Sequence, residues 1–164
     1  MRAPTPADPS ASKAQTYARL AEEIDSVLEG ENDRVARMAT VAAILSAEFD
    51  RFFWTGFYCV DPVRPRELVV GPYQGTLGCL RIAFGRGVCG VAAERREVQI
   101  VADVDAFPGH IACDSRSRSE IVVPVTDSSG HLIAVLDVDS TQLAAFDEED
   151  ASGLTTILNR VFGR

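Results

Sequence analysis

Cys79, Cys89 and Cys113, three of the four cysteines of this 164-residue chain, sit in loop-like sequence rich in Gly and Pro. Thiols so placed, in a chain with no sign of secretion, serve redox or metal chemistry more often than they staple a fold. Other reactive groups surround them in the sequence. In the run HLIAVLDVD, residues two apart share a strand face, which sets Asp137 beside Asp139. Such a pair either solvates the end of an edge strand or forms a cation site for an ammonium group or a metal. Trp54 and Tyr58 also share a face, with Gly56 between them leaving open space, and they either fill a core or wall a pocket. Glu120 opens the strand EIVVPV just after the Cys113 loop, as an exposed strand-end carboxylate or as a proton donor to a nearby thiol reaction.

Competing chemistries are weaker on spacing. Cys79, Cys89, His110 and Cys113 offer three sulfurs and a nitrogen to zinc, but there is no C-x-x-C pair, only H-x-x-C, and no metal is expected. Gly85-Arg86-Gly87-Val88-Cys89-Gly90 matches G-x-G-x-x-G, with Asp103 eighteen residues after Gly85. A dinucleotide fold needs a crossover of a dozen residues or more and a second mononucleotide half; neither follows here. The glycines are better explained by a tight turn and close backbone approach beside Cys89. Cys59 alternates onto the strand face opposite Trp54 and Tyr58, as a buried core thiol. His131 follows a turn and is expected to be exposed. No G-x-S-x-G run supports a serine hydrolase.

The elements that must position these groups follow from periodicity. Tyr17, Leu20, Ile24, Val27 and Leu28 recur at helical spacing over 12–29, and Gly30 ends that helix. Asn32 or Asp33 caps a second helix running to about Phe49. Residues 53–60 and 67–71 read as a hairpin around Asp61-Pro62, 79–84 as a short strand, 88–95 as a short helix and 98–101 as a strand. A long loop, 102–119, carries Cys113 and is too long for mere connection. Residues 120–125 and 132–139 pair around the turn 127–130, and Asp147 caps a last helix to about Val161. The expectation is one α+β domain over 12–164 with an antiparallel sheet of about six strands flanked by terminal helices, preceded by a disordered tail over 1–11.

Composition narrows the setting. One domain of this length buries a core without staples, and 46% hydrophobic residues with mean hydropathy near zero suit a soluble globule. The start, MRAPTPADPSASK, lacks the apolar run of a signal peptide or a membrane span, so a cytoplasmic protein is expected. A net charge of −8 with scattered Arg residues argues against nucleic acid as a partner.

Taken together, the runs WTGFY, GPYQG, FGRGVCG, AFPGHIACDSRSRSEIVVPV, AVLDVDS and FDEEDASGL resemble the free methionine-(R)-sulfoxide reductases, which are single GAF domains of PAS-like architecture. The resemblance covers roughly residues 39–162. It implies reduction of free methionine sulfoxide with no cofactor, thioredoxin as external reductant, a part in oxidative-stress defence, and a homodimer.

Carried onto this chain, the resemblance makes Cys113 the nucleophile that attacks the sulfoxide sulfur while Glu120 protonates the oxygen, leaving a sulfenic acid. Cys79 then forms a disulfide with Cys113 that thioredoxin opens, and Cys89 either substitutes for it or passes the disulfide onward. Which role falls to Cys89 and which to Cys113 stays open at this level. Asp137 and Asp139 suit the substrate ammonium, backbone N–H groups near Cys113 its carboxylate, and Trp54 with Tyr58 the methyl group. Arg116 or Arg118 could lower the Cys113 pKa, or simply be solvated. Two other classes fit the residues: a GAF module that senses a small ligand or oxidant without turnover, and a zinc-stabilised interaction domain.

Overall fold

Ser12 caps the first helix by accepting from the Gln15 N–H, while the Gln15 side chain answers the Ser12 N–H, a reciprocal box that starts α1 (Lys13–Val27). Of the two candidate caps for α2 (Arg34–Glu48), Asp33 is the one used, accepting from the Ala36 N–H. Asp147 and Asp150 form a second reciprocal box that opens α4 (Glu148–Phe162). The computed structural model describes residues 10–111 and 113–164, so all of the expected tail except residues 10 and 11 lies outside the described residues.

Six strands form one sheet in the order β3-β2-β1-β6-β5-β4. They are β1 (Trp54–Val60), β2 (Glu67–Gln74), β3 (Arg81–Ala83), β4 (Gln99–Val101), β5 (Ser119–Thr126) and β6 (Leu132–Ser140). Every neighbouring pair is antiparallel, as expected. The second strand runs three residues beyond the expected end at Gly71, because Thr55 and Gly56 pair with Gln74 and Tyr73 past a bulge. The third is shorter than 79–84: Cys79 and Leu80 lie outside it, although Leu80 still accepts from the Val70 N–H at 3.0 Å.

The pleat gives the sheet two unlike faces. Phe57, Ile121, Val123, Leu136 and Val138 point to the side covered by α1, α2 and α4, where they join Leu20, Ile24, Val41, Leu45, Leu154 and Ile157 in the larger core. Each such side chain contributes about 1.5–3 kcal/mol by leaving water. Cys59 lies on this face as expected but is half-buried, its Sγ 3.7 Å from Met38 Sδ. Asp150, fully buried, fastens α4 by accepting from Tyr17 Oη at 2.8 Å and pairing with Lys13 at 2.9 Å and Arg51 at 2.5 Å.

The opposite face holds Trp54, Tyr58, Val122 and Val135 beneath the short helix α3 (Gly87–Arg95). The helix carries the chain from β3 at one edge of the sheet to β4 at the other and joins no neighbouring parallel strands, in keeping with the reading of its glycines as packing devices. A Cβ at Gly90 would fall on the Ala83 carbonyl oxygen, so only glycine lets the helix sit this close to β3. Gly56, by contrast, corrects an expectation. It leaves no open space, because Tyr73 and the Trp54 ring, 2.8 Å from an added Cβ, occupy it. Gly56→Ala is therefore expected to cost about 1–3 kcal/mol in a denaturant titration through overpacking of a central strand. A change below about 0.5 kcal/mol would mean that the aromatic cluster shifts freely.

Candidate active site

Register alone assembles the acids. Trp54 and Glu120 both pair with Asp139, from opposite sides of β6, while Gly56 and Val122 both pair with Asp137. Paired residues of antiparallel strands share a face, so three adjacent strands bring Trp54, Tyr58, Asp137, Asp139 and Glu120 to one surface. The reading of Glu120 as an exposed strand end does not survive. It is buried, 5% exposed, as is Asp137 at 6%. Nor do Asp137 and Asp139 blunt a sheet edge, since β6 lies inside the sheet between β1 and β5.

These side chains floor a pocket whose walls are Trp54, Tyr58, Ile82 and Val88, and whose mouth is formed by Leu77, Gly78, His110, Ile111 and Cys113. Trp54 stacks between Tyr58 and Tyr73, with centroids 5.6 and 5.1 Å away, so the aromatics both fill a core and wall the pocket. The Trp54 indole N–H donates to the Thr76 carbonyl at 2.9 Å, the Thr76 hydroxyl to Asp114 at 2.8 Å, and the Tyr58 hydroxyl is hydrogen-bonded to the Cys79 backbone. One rigid ring system thus ties down both the Cys79 and the Cys113 loops.

Cys79 and Cys113 are joined in a disulfide, with Cα atoms 5.4 Å apart, and Cys113 lies at the surface. In this state the pocket holds about 30 Å³ of free space, on the order of two water molecules. Cys89 stands apart as a free, buried thiol in the first turn of α3, its Sγ 3.8 Å from Glu120 Oε1. The four-ligand zinc set is accordingly not assembled, as two of its sulfurs are bonded to each other.

Electrostatics separates the acids. Burial, then repulsion from Asp137 and Asp139, pushes Glu120 well above the usual carboxylate range. Burial and the Asp139 charge do the same to Asp137. Asp139 is pushed up to about 6 by burial, against a stabilising hydrogen bond from Ser117. Burial thus biases Glu120 toward its protonated form, while Asp139, at about 6, is mostly an anion at neutral pH. Burial also pushes the Cys89 thiol up, and nearby Asp137 and Glu120 add to it, so its thiolate is scarce.

Arg116 does not serve Cys113. Its guanidinium is engaged by Asp114 at 2.8 and 3.0 Å and lies over the Phe53 ring, 4.7 Å from the centroid. Arg118 is exposed. Sequence reasoning missed Ser117, which hydrogen-bonds Asp139, and His110, whose Nε2 lies 3.7 Å from Glu120 Oε2 and which the sequence suggests only as a zinc ligand. Their signal was position, since both sit within the Cys113 loop.

Comparison with known proteins agrees with this arrangement. The GAF domain family matches residues 34–161. The chain is 50% identical to GAF domain-containing protein A of Dictyostelium discoideum, over 90% of each chain. It is 41% identical to the free methionine-R-sulfoxide reductase of Escherichia coli, over 90% of this chain and 87% of that one. The crystal structure of free methionine-R-sulfoxide reductase from Neisseria meningitidis, solved with its substrate, superposes with a TM-score of 0.87 at 49% identity, over 93% and 89% of the two chains. The chain belongs to the GAF-domain family and, within it, to the free methionine-R-sulfoxide reductases.

Proposed function

We propose that this protein reduces free methionine-(R)-sulfoxide to methionine through a cysteine sulfenic acid and the Cys79–Cys113 disulfide, with thioredoxin restoring the dithiol. The observation that carries the reading is that disulfide, bridging the mouth of a pocket floored by Glu120, Asp137 and Asp139. Reduction of this substrate is the activity for which the relatives in Escherichia coli and Neisseria meningitidis are named.

The chemistry balances on these residues. The Cys113 thiolate attacks the sulfoxide sulfur as Glu120 donates a proton to the oxygen; the hydroxyl then shifts from the methionine sulfur to Cys113 while the new sulfur–sulfur bond breaks, so methionine leaves and Cys113 carries the oxygen as sulfenic acid. The Cys79 thiol then attacks Cys113, the oxygen departs as water, and two thiols have become one disulfide. Thioredoxin's dithiol takes over the oxidation. Glu120, kept protonated by burial, is equipped to donate; Cys89, with its thiolate suppressed, is ill equipped to attack. We therefore assign Cys89 to holding Glu120 rather than to the covalent relay.

Substrate selection follows from the floor and walls. Asp139, anionic at neutral pH, takes the ammonium, and the arriving positive charge favours ionisation of Asp137 beside it. A methionine inside a peptide has no ammonium to offer, so the reading restricts the enzyme to the free amino acid. Trp54 and Tyr58 receive the methyl end. The disulfide-bonded pocket has room for about two waters, so this reading has reduction widen the mouth before substrate enters. The homodimer, the cytoplasmic setting and the absence of a cofactor rest on the family likeness.

The test is turnover of purified protein with thioredoxin, its reductase and NADPH, given each epimer of free methionine sulfoxide in turn. NADPH loss with the R epimer alone is expected. Consumption with neither epimer would leave a GAF module that binds or senses without catalysis.

A further inference from the structure

We propose that Cys89, Glu120 and Asp137 bind a thiophilic divalent cation of the zinc or cadmium class at the floor of the pocket. One ligand atom from each residue lies within 4.8 Å of the other two, all three side chains are buried, and they come from three elements, α3, β5 and β6. The Cys89 Sγ to Glu120 Oε1 separation is 3.8 Å. Bond lengths of about 2.3 Å to sulfur and about 2.0 Å to oxygen in a tetrahedral site give a ligand edge of roughly 3.5 Å. Small rotations of the two side chains close that difference.

A second observation points to a ligand independently of the clustering. Asp137 Oδ1 is buried and has no hydrogen-bond partner among the described residues, although the carboxyl faces the pocket and is hydrogen-bonded within the cluster to Cys89 and Glu120. A buried oxygen left unpaired carries a desolvation cost that nearly all native groups avoid. Among the described residues no Lys or Arg forms an ion pair with these acids; the basic group near them is His110, 3.7 Å from Glu120 Oε2. A dication would satisfy the orphaned oxygen and offset the negative charge of the ionised ligands.

The donor set selects the class of ion. One thiolate and two carboxylates suit a borderline-soft metal that accepts four ligands. Calcium and magnesium need six or more oxygens and gain little from sulfur. The fourth position faces the mouth, where His110 or water can complete the shell. The site differs from a zinc set built on Cys79 and Cys113, because it stays available while those two are joined. On the function proposed above, an ion there would occupy the floor that the substrate ammonium needs.

The experiment is titration of the full chain, with the Cys79–Cys113 disulfide formed, by cadmium chloride, reading the thiolate-to-cadmium charge-transfer absorption. The remaining thiols are Cys59 and Cys89. Expected is one saturable equivalent per chain, retained in Cys59→Ser, lost in Cys89→Ser, and weakened at least tenfold in both Glu120→Gln and Asp137→Asn. No absorption, absorption that persists in Cys89→Ser, or unchanged affinity in the two isosteric acid variants would overturn the site. Because the readout does not involve turnover, its failure leaves the reductase reading intact, and failure of that reading leaves the titration valid.

Discussion

Cys113→Ser is expected to lower turnover by a factor of about 10³ or more, because a hydroxyl at neutral pH lacks the nucleophilicity of a thiolate. Cys79→Ser should behave differently. It retains the attacking sulfur, so it should release about one methionine per chain in a rapid burst and then stall at the sulfenic acid. A quenched-flow assay for methionine, with a sulfenic acid trap, separates the two variants. Sustained cycling of Cys79→Ser with thioredoxin would hand the resolving role to Cys89. The geometry argues against that outcome, since Cys89 is buried on Glu120 while Cys79 is already joined to Cys113. A methionine burst retained in Cys113→Ser would place the nucleophile elsewhere.

Asp139→Asn carries the second large effect, and it runs in opposite directions for binding and for stability. Loss of the anion facing the ammonium should raise KM roughly thirtyfold or more, in line with about 2 kcal/mol or more for a charge-assisted hydrogen bond in a dry site. An unchanged KM would remove the carboxylate from the binding site. Stability should rise instead. The Asp139 carboxyl is pushed from 3.8 in the unfolded chain to about 6 in the folded one, so the folded protein holds that proton more tightly. Its ionisation is therefore a cost of folding, absent below about pH 4, growing between pH 4 and 6, and complete above pH 6. The neutral amide escapes this cost. Chelator-treated Asp139→Asn should be more stable than wild type by about 1–3 kcal/mol at pH 7, with the difference vanishing near pH 4. Thermal unfolding at the two pH values measures it, and equal stability at both would mean that the carboxylate is better solvated than its surroundings suggest. The same ionisation predicts that KM of the wild type rises as pH falls through about 6, because the protonated acid no longer attracts the ammonium.

Opposite signs for one residue express a trade between fold and function. Glu120, Asp137 and Asp139 are held together by the register of two strands, β5 and β6, whose other face is packed into the main core. The energy that keeps like acids together comes from Phe57, Ile121, Leu136 and their partners, not from the acids. That face has no role in the chemistry, yet without it the carboxyls would separate or unfold the site.

Much of this was already written in local sequence. Period two set Asp137 with Asp139 and Trp54 with Tyr58, helical spacing marked the helices, and Asp147, with Asp33 as one of two candidates, took up its capping position as read. These features depend on residues a few positions apart, which is why they can be seen without the fold. The burial of Glu120 could not. It follows from Asp139 lying opposite it across a strand pair whose register is set by the whole sheet. Gly56 likewise looked like open space until Tyr73, seventeen residues on, arrived across the β1–β2 bulge to fill it. Among the cysteines, sequence separation carried no information about distance: Cys79 and Cys113 meet across 34 residues, while Cys89, nearer in sequence to both, turns inward from the first turn of α3. Residue type and periodicity decided which groups this chain could use and which face each would take. Only tertiary packing decided which of them meet and which lose their water, because proximity across strands and the burial that shifts a pKa are properties of the assembled sheet.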